Sequence, residues 1–192
     1  MSSSKSETIR CFISLNLDHK TQTALADLQR TLKKNGALAR WVKPENIHLT
    51  LRFLGYRDPK RVKEIAQALP GFFSNMAGFP LTINFLQAFP NEKKPRVLWA
   101  GISKSNDEAI GIFEQVNNGL AKLGIPKDQE EFVPHLTLAR CKTPEESRSV
   151  SEAIKKAPKF SIEAQATQIT FYQSTLSSDG PIYQSLATVT LN

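Results

Sequence analysis

The tetrapeptide His-Leu-Thr-Leu occurs twice in this 192-residue chain, at 48–51 and again at 135–138. The chain has only three histidines, His19, His48 and His135, so two of the three carry the same tail. With each following residue matching at about one in fifteen to twenty, chance gives such a repeat on the order of once in a thousand chains. The copies lie 87 residues apart (135 − 48), too far for a solenoid repeat and a fit for a duplicated lobe.

In a β-strand successive side chains point to opposite faces. His48 and Thr50 then share one face, and Leu49 and Leu51 the other; His135, Thr137, Leu136 and Leu138 repeat the arrangement. The leucines mark the core side, and each His/Thr pair looks into a cleft or solvent. Along a strand the two side chains sit roughly 6.5–7 Å apart, close enough for one phosphate-sized group to touch both.

The flanking sequence supplies the elements that would hold two such strands. TIRCFISLNL (8–17) is a β-rich apolar run, followed by Asp18 as a helix cap and by Leu25, Leu28 and Leu32 at helical spacing up to Asn35-Gly36. ALARWV (37–42) reads as a strand, KPEN (43–46) as a turn, NIHLTLRFLG (46–55) as a strand and DPKRVKEIAQAL (58–69) as a helix capped by Asp58. The second half alternates likewise: a hairpin at 79–90 and 96–103, a helix at 106–124, and a strand at 131–141 starting near an edge at Pro134. A helix at 143–157 with a Thr143/Glu146 capping box and a final strand pair at 160–174 and 182–192 complete it. Strand pairs separated by single helices, twice over, predict an α+β fold: a bilobed, pseudo-twofold duplicated unit, with antiparallel sheets lining a central cleft and helices outside. No low-complexity linker divides the halves, so residues 1–192 read as one bilobed domain, with 1–7 a disordered lead.

Composition narrows the chemistry. Two cysteines, Cys11 and Cys141, make no disulfide framework and no C-x-x-C pair, which points to a reducing compartment, the cytoplasm by default. No apolar run nears the ~20 residues of a membrane span, and the polar start MSSSKSETIR is not a secretory signal. Scattered histidines and cysteines give no zinc-ligand spacing, so no metal and no cofactor are expected. Nor is there a G-x-S-x-G elbow, a P-loop or a G-x-G-x-x-G. A net charge of +7 raises the local concentration of polyanions, or is simply a solvated basic surface.

Two imidazoles and two hydroxyls around one cleft suit phosphodiester cleavage. One histidine, neutral, takes a proton from the attacking oxygen, and the other, protonated, gives one to the leaving oxygen. Near the unperturbed pKa of about 6.5 both forms coexist. Thr50 and Thr137 can donate to the non-bridging oxygens, where charge builds. Arg52 has the parity of His48 and Thr50 in a regular strand and is an anion-contact candidate. His19 reads as exposed and structural.

The duplicated HLTL, with RCFISLNL, RWVKPENIHLTLRFLG, AFPNEKKPRVLWAGI, EFVPHLTLAR and FYQSTLSSDGPIYQSLATVTL, resembles the two-histidine phosphoesterase superfamily. Within it the chain resembles the RNA 2′,3′-cyclic phosphodiesterases, also called RNA 2′-5′ ligases, over nearly its whole length. The resemblance implies hydrolysis of RNA 2′,3′-cyclic phosphate ends to 2′-phosphomonoesters, with reverse 2′-5′ ligation a minor activity. It also implies His135 as the base and His48 as the acid, with Arg140 as a phosphate ligand. Strand parity objects to Arg140, five residues from His135, unless a bulge or strand end intervenes. The expected partners are RNA ends or nucleoside 2′,3′-cyclic phosphates, met by a monomer without a membrane. The alternatives are a related enzyme on ADP-ribose cyclic phosphate, 2′-5′ oligoadenylate or another small phosphodiester, and a non-enzymatic RNA-binding module.

Overall fold

The computed structural model describes residues 8–73, 76–178 and 180–191; the lead at 1–7 lies outside them. The order of elements is β1 (Ile9–Leu17), α1 (His19–Lys34), β2 (Arg40–Trp41), β3 (Leu49–Arg57), α2 (Pro59–Ala68), β4 (Phe79–Phe89) and β5 (Val97–Lys104). Then come α3 (Asn106–Lys122), β6 (His135–Arg140), α4 (Pro144–Lys155), β7 (Ile162–Ser177) and β8 (Gly180–Thr190). The capping residues act as their chemistry dictates. The Asp18 carboxylate accepts from the Thr21 N–H at 2.7 Å and Asp58 from the Arg61 N–H at 2.9 Å, and Thr143 and Glu146 close a reciprocal box at the start of α4.

Two strands are shorter than the sequence suggests. Of 37–42 only Arg40–Trp41 pairs, and the turn after it is a 3₁₀ helix, Pro44–Asn46, which leaves His48 just ahead of β3. Pro134 lacks a donor for the ladder, and β6 starts at His135. Among the described residues no helix is long and apolar enough to cross a membrane.

Among the described residues all pairings are antiparallel, and they form one continuous sheet. Following hydrogen-bonded neighbours gives β1-β3-β6-β5-β4-β7, and β7 returns to β1, so the path closes like a barrel. β7 makes the closure by its length: residues 162–166 pair with β4, and 166–173 continue along β1. On the opposite side, between β3 and β6, the ring is joined through a single residue pair, Leu49 with Leu136. These are equivalent leucines of the two HLTL copies. An antiparallel pair of equivalent residues puts a local twofold axis between them, so the repeat in sequence is a pseudo-twofold in space.

The sheet's outer face carries Ile13, Leu15, Leu49, Leu98, Ala100 and Leu136, each with no exposed surface. Leu25, Leu28 and Leu32 of α1, Val62 and Ile65 of α2, Ile112 and Val116 of α3, and Val150 of α4 join them in a continuous core. Helices therefore cover one face, and the other is left to line the cleft.

Candidate active site

The Leu49–Leu136 bridge sets the geometry of the cleft. Leu49 and Leu136 point to the core, so the residues either side of them point to the cleft. His48 is thereby brought beside Thr137, and His135 beside Thr50, with the two imidazoles diagonal across the bridge. All four side chains are half-buried.

Both rings are held alike. His48 Nδ1 lies 2.8 Å from the Asn46 carbonyl oxygen and His135 Nδ1 lies 2.8 Å from that of Val133, in each case two residues back. A carbonyl oxygen only accepts, so Nδ1 carries the proton in both rings and Nε2 is the nitrogen that gains or loses one. His48 Nε2 lies 3.1 Å from Thr50 Oγ1, whose hydroxyl donates to it when the ring is neutral.

Aromatic rings wall both imidazoles. Phe12 stacks on His48 with centroids 4.9 Å apart, and Tyr183 meets it edge-on at 5.5 Å. Phe89 meets His135 edge-on at 5.1 Å, and Trp99 lies tilted at 5.6 Å. Removal from water disfavours the charged form, and burial is the main reason the His48 pKa is pushed down to about 4. The Asn46 carbonyl opposes that shift; the charges of His135 and Arg140 add to it. His135 is lowered too, first by burial and then by Arg140, against the Val133 carbonyl.

Arg140 is thus close enough to act on both histidines, and it acts on Tyr183 as well. A β-bulge meets the parity objection. In the β5–β6 ladder Trp99 pairs with Thr137 and Leu98 with Ala139, leaving Leu138 as an extra residue. The extra residue inverts the alternation, so Arg140, opposite Val97, returns to the face of His135 and Thr137.

The same device removes the parity that a regular strand gives Arg52. In the β1–β3 ladder Ser14 pairs with Thr50 and Ile13 with Arg52, so Leu51 is the extra residue. Arg52 therefore stands opposite the fully buried Ile13, not on the histidine face. Its guanidinium is ion-paired to Asp128 and donates to the Pro126 carbonyl at 2.8 Å. The residue that gains the cleft face is Phe53, opposite Phe12 and 61% exposed. Regular strand parity misses Phe53, although its equivalence to Arg140, five residues after each histidine, is present in the repeat.

Two cavities flank the pair. One of about 290 Å³ beside His48 is lined by Asn16, Gln22, Asn46, Gln168, Tyr172 and Tyr183. The other, about 310 Å³, lies against His135 and Thr50, with Phe53, Phe89, Phe132 and Val133 in its wall. Among the described residues no three His, Cys, Asp or Glu side chains converge as a metal site would require.

Comparison with known proteins adds to this geometry. The family described as LigT like Phosphoesterase matches the chain over residues 15–99 and 101–183, two stretches that begin 86 residues apart (101 − 15). An RNA 2′,3′-cyclic phosphodiesterase of Thermotoga maritima is 33% identical over 179 residues, covering 93% of each chain. One of Methanocaldococcus jannaschii is 30% identical over 177 residues, covering 92% of this chain and 97% of the other. Among solved structures, a Thermus thermophilus protein superposes with a TM-score of 0.78 at 26% identity, covering 95% of this chain and 98% of that one. E. coli LigT complexed with ATP gives 0.71 at 25% identity, covering 97% and 99%.

Proposed function

Because the chain belongs to the LigT like phosphoesterase family, we propose that it is a metal-independent RNA 2′,3′-cyclic phosphodiesterase working by paired-histidine acid–base catalysis. The observation that carries this reading is the twin imidazole arrangement: two rings of one tautomer, each with Nδ1 tied to a backbone carbonyl and Nε2 left for the cleft, both within the field of Arg140, and His48 Nε2 beside the Thr50 hydroxyl. The relatives named for this activity, 33% and 30% identical over nearly full length, support the substrate.

In the proposed reaction the cyclic phosphate sits across the pseudo-twofold, its non-bridging oxygens facing Thr50, Thr137 and Arg140. His135 Nε2 takes a proton from water as the water oxygen attacks phosphorus. The bond from phosphorus to the ribose 3′ oxygen breaks, and His48 Nε2 delivers a proton to that oxygen, leaving a 2′-phosphomonoester. The assignment of base and acid follows the family resemblance. Burial makes His48 a poor proton holder in the free protein, and the bound phosphate anion supplies the charge that lets it carry one. Phe53, exposed on the same face, offers a ring on which an RNA base can stack.

The deciding experiment is phosphorus NMR of the product from a nucleoside 2′,3′-cyclic phosphate, with and without chelator, for the wild type and for His48→Ala and His135→Ala. A 2′-phosphomonoester formed despite chelator, and a roughly 10²–10⁴-fold loss of kcat in each folded variant, are the expected results. A 3′-phosphomonoester, chelator sensitivity, or full activity in either variant would overturn the proposal. Faster turnover of ADP-ribose cyclic phosphate or 2′-5′ oligoadenylate would keep the chemistry and change the substrate.

A further inference from the structure

Gln29 lies on α1, on the far side of the sheet from the cleft, yet it is only 3% exposed. A buried carboxamide needs partners, and this one has two: its Nε2 donates to the Val42 carbonyl at 2.8 Å and to the Leu138 carbonyl at 3.0 Å. Both partners are acceptors only, so the NH₂ end of the amide must face them. Leu138 is the extra residue of the β6 bulge, and Val42 follows β2, the short strand that pairs with β6 at Ala139 and Arg140. The Val42 N–H donates to the same Leu138 oxygen at 2.9 Å.

Without the bulge the ladder would run Thr137–Trp99, Leu138–Leu98, Ala139–Val97, and Arg140 would turn toward the helices. A bulge residue is unpaired along one ladder, so the bulged register depends on what else binds its backbone. Gln29 is the side chain that binds it, and the same amide fixes the chain leaving β2. We propose that Gln29 is a positioning residue for Arg140: its carboxamide clamps the β6 bulge and so holds the guanidinium on the histidine face. Gln29 touches neither histidine. It acts through the backbone, at the Leu138 carbonyl two residues before Arg140 on the same strand and at the Val42 carbonyl beside it.

The inference rests on the phosphodiesterase reading only where turnover is measured, so two readouts are paired. One is steady-state kinetics on a nucleoside 2′,3′-cyclic phosphate; the other is NMR titration of the His48 and His135 rings, with inorganic phosphate binding measured by calorimetry. Gln29→Met keeps the volume and removes both hydrogen bonds. It should raise KM roughly tenfold, the scale of one charge-assisted contact, with a smaller change in kcat. It should weaken phosphate binding, and both imidazole titrations should move upward as the Arg140 charge recedes. In an Arg140→Ala background, Gln29→Met should add nothing to KM, because the two changes act through one contact. Gln29→Glu, isosteric and able to donate one hydrogen bond when its buried carboxyl is protonated, should give the same effects in milder form. It is the deciding variant if Gln29→Met does not fold. A variant of Gln29 with lowered stability but unchanged phosphate affinity and ring titrations would overturn the proposal, as would KM effects that add fully to those of Arg140→Ala.

Discussion

His48 and His135 are alike in the bond that fixes each ring and unlike in what surrounds it. Because Nδ1 of each is tied to a backbone carbonyl, titration is confined to Nε2, the atom that faces the cleft. In the free protein both rings are shifted toward the neutral form, whereas a bound phosphate anion favours the charged form. The limbs of the kcat profile, which report the bound state, should therefore lie at higher pH than those of kcat/KM; coincident profiles would contradict this. A stability consequence has the same origin. His48 titrates at about 4 when folded against 6.5 ordinarily, so the unfolded chain binds the extra proton. The stability is present above pH 6.5 and is lost as pH falls toward 4, at up to about 1.4 kcal/mol per pH unit from this group. Urea unfolding between those values should show the decline, and His48→Gln should flatten it.

At the scale of elements, the alternation rule holds within each HLTL copy and fails immediately after it. Parity alone assigns four leucines to the core, and Leu49, Leu51, Leu136 and Leu138 are all at most 2% exposed. Two bulges then invert the pattern, exchanging Arg52 for Phe53 in β3 and setting Arg140 on the cleft face in β6. Neither bulge has a glycine or proline to announce it, and the one at Leu138 is held by partners from distant segments, the Val42 N–H and the Gln29 amide. The next strand carries a different constraint. Gly101 pairs with His135, and a Cβ there would run into the Phe85 ring. Phe85 packs against Trp99 with centroids 5.9 Å apart, and Trp99 against His135. Gly101→Ala should therefore cost about 1–3 kcal/mol of stability through overpacking and lower kcat by displacing the ring column behind His135. Unchanged thermal unfolding in that variant would show that Phe85 can move aside without strain.

At the scale of the whole molecule, six of the strands form one closed hydrogen-bonded path, and closure is the feature least legible in the sequence. The repeat implies two halves and a cleft, but not that 16-residue β7 runs through both. No local pattern specifies which strands a long strand will join. Because β7 belongs to both halves, they should unfold together. Burial pushes the Cys11 thiol of β1 up to about 11, so its alkylation in the native state should be slow and should report opening of the first half. Fluorescence of buried Trp99 in β5 is affected by opening of the second. Urea transitions followed by Cys11 labelling and by the emission of Trp99, read in a Trp41→Phe background, should coincide; separated midpoints would mean the halves open independently. The Leu49–Leu136 bridge bears on ancestry as well. Had a single half once assembled as a homodimer, this bridge would have lain on an exact symmetry axis, and every substitution would have struck both sites at once. Joining the copies in one chain releases that lock: one half can carry Phe53 where the other carries Arg140, so a site built from a repeated unit can grip its substrate differently at its two ends.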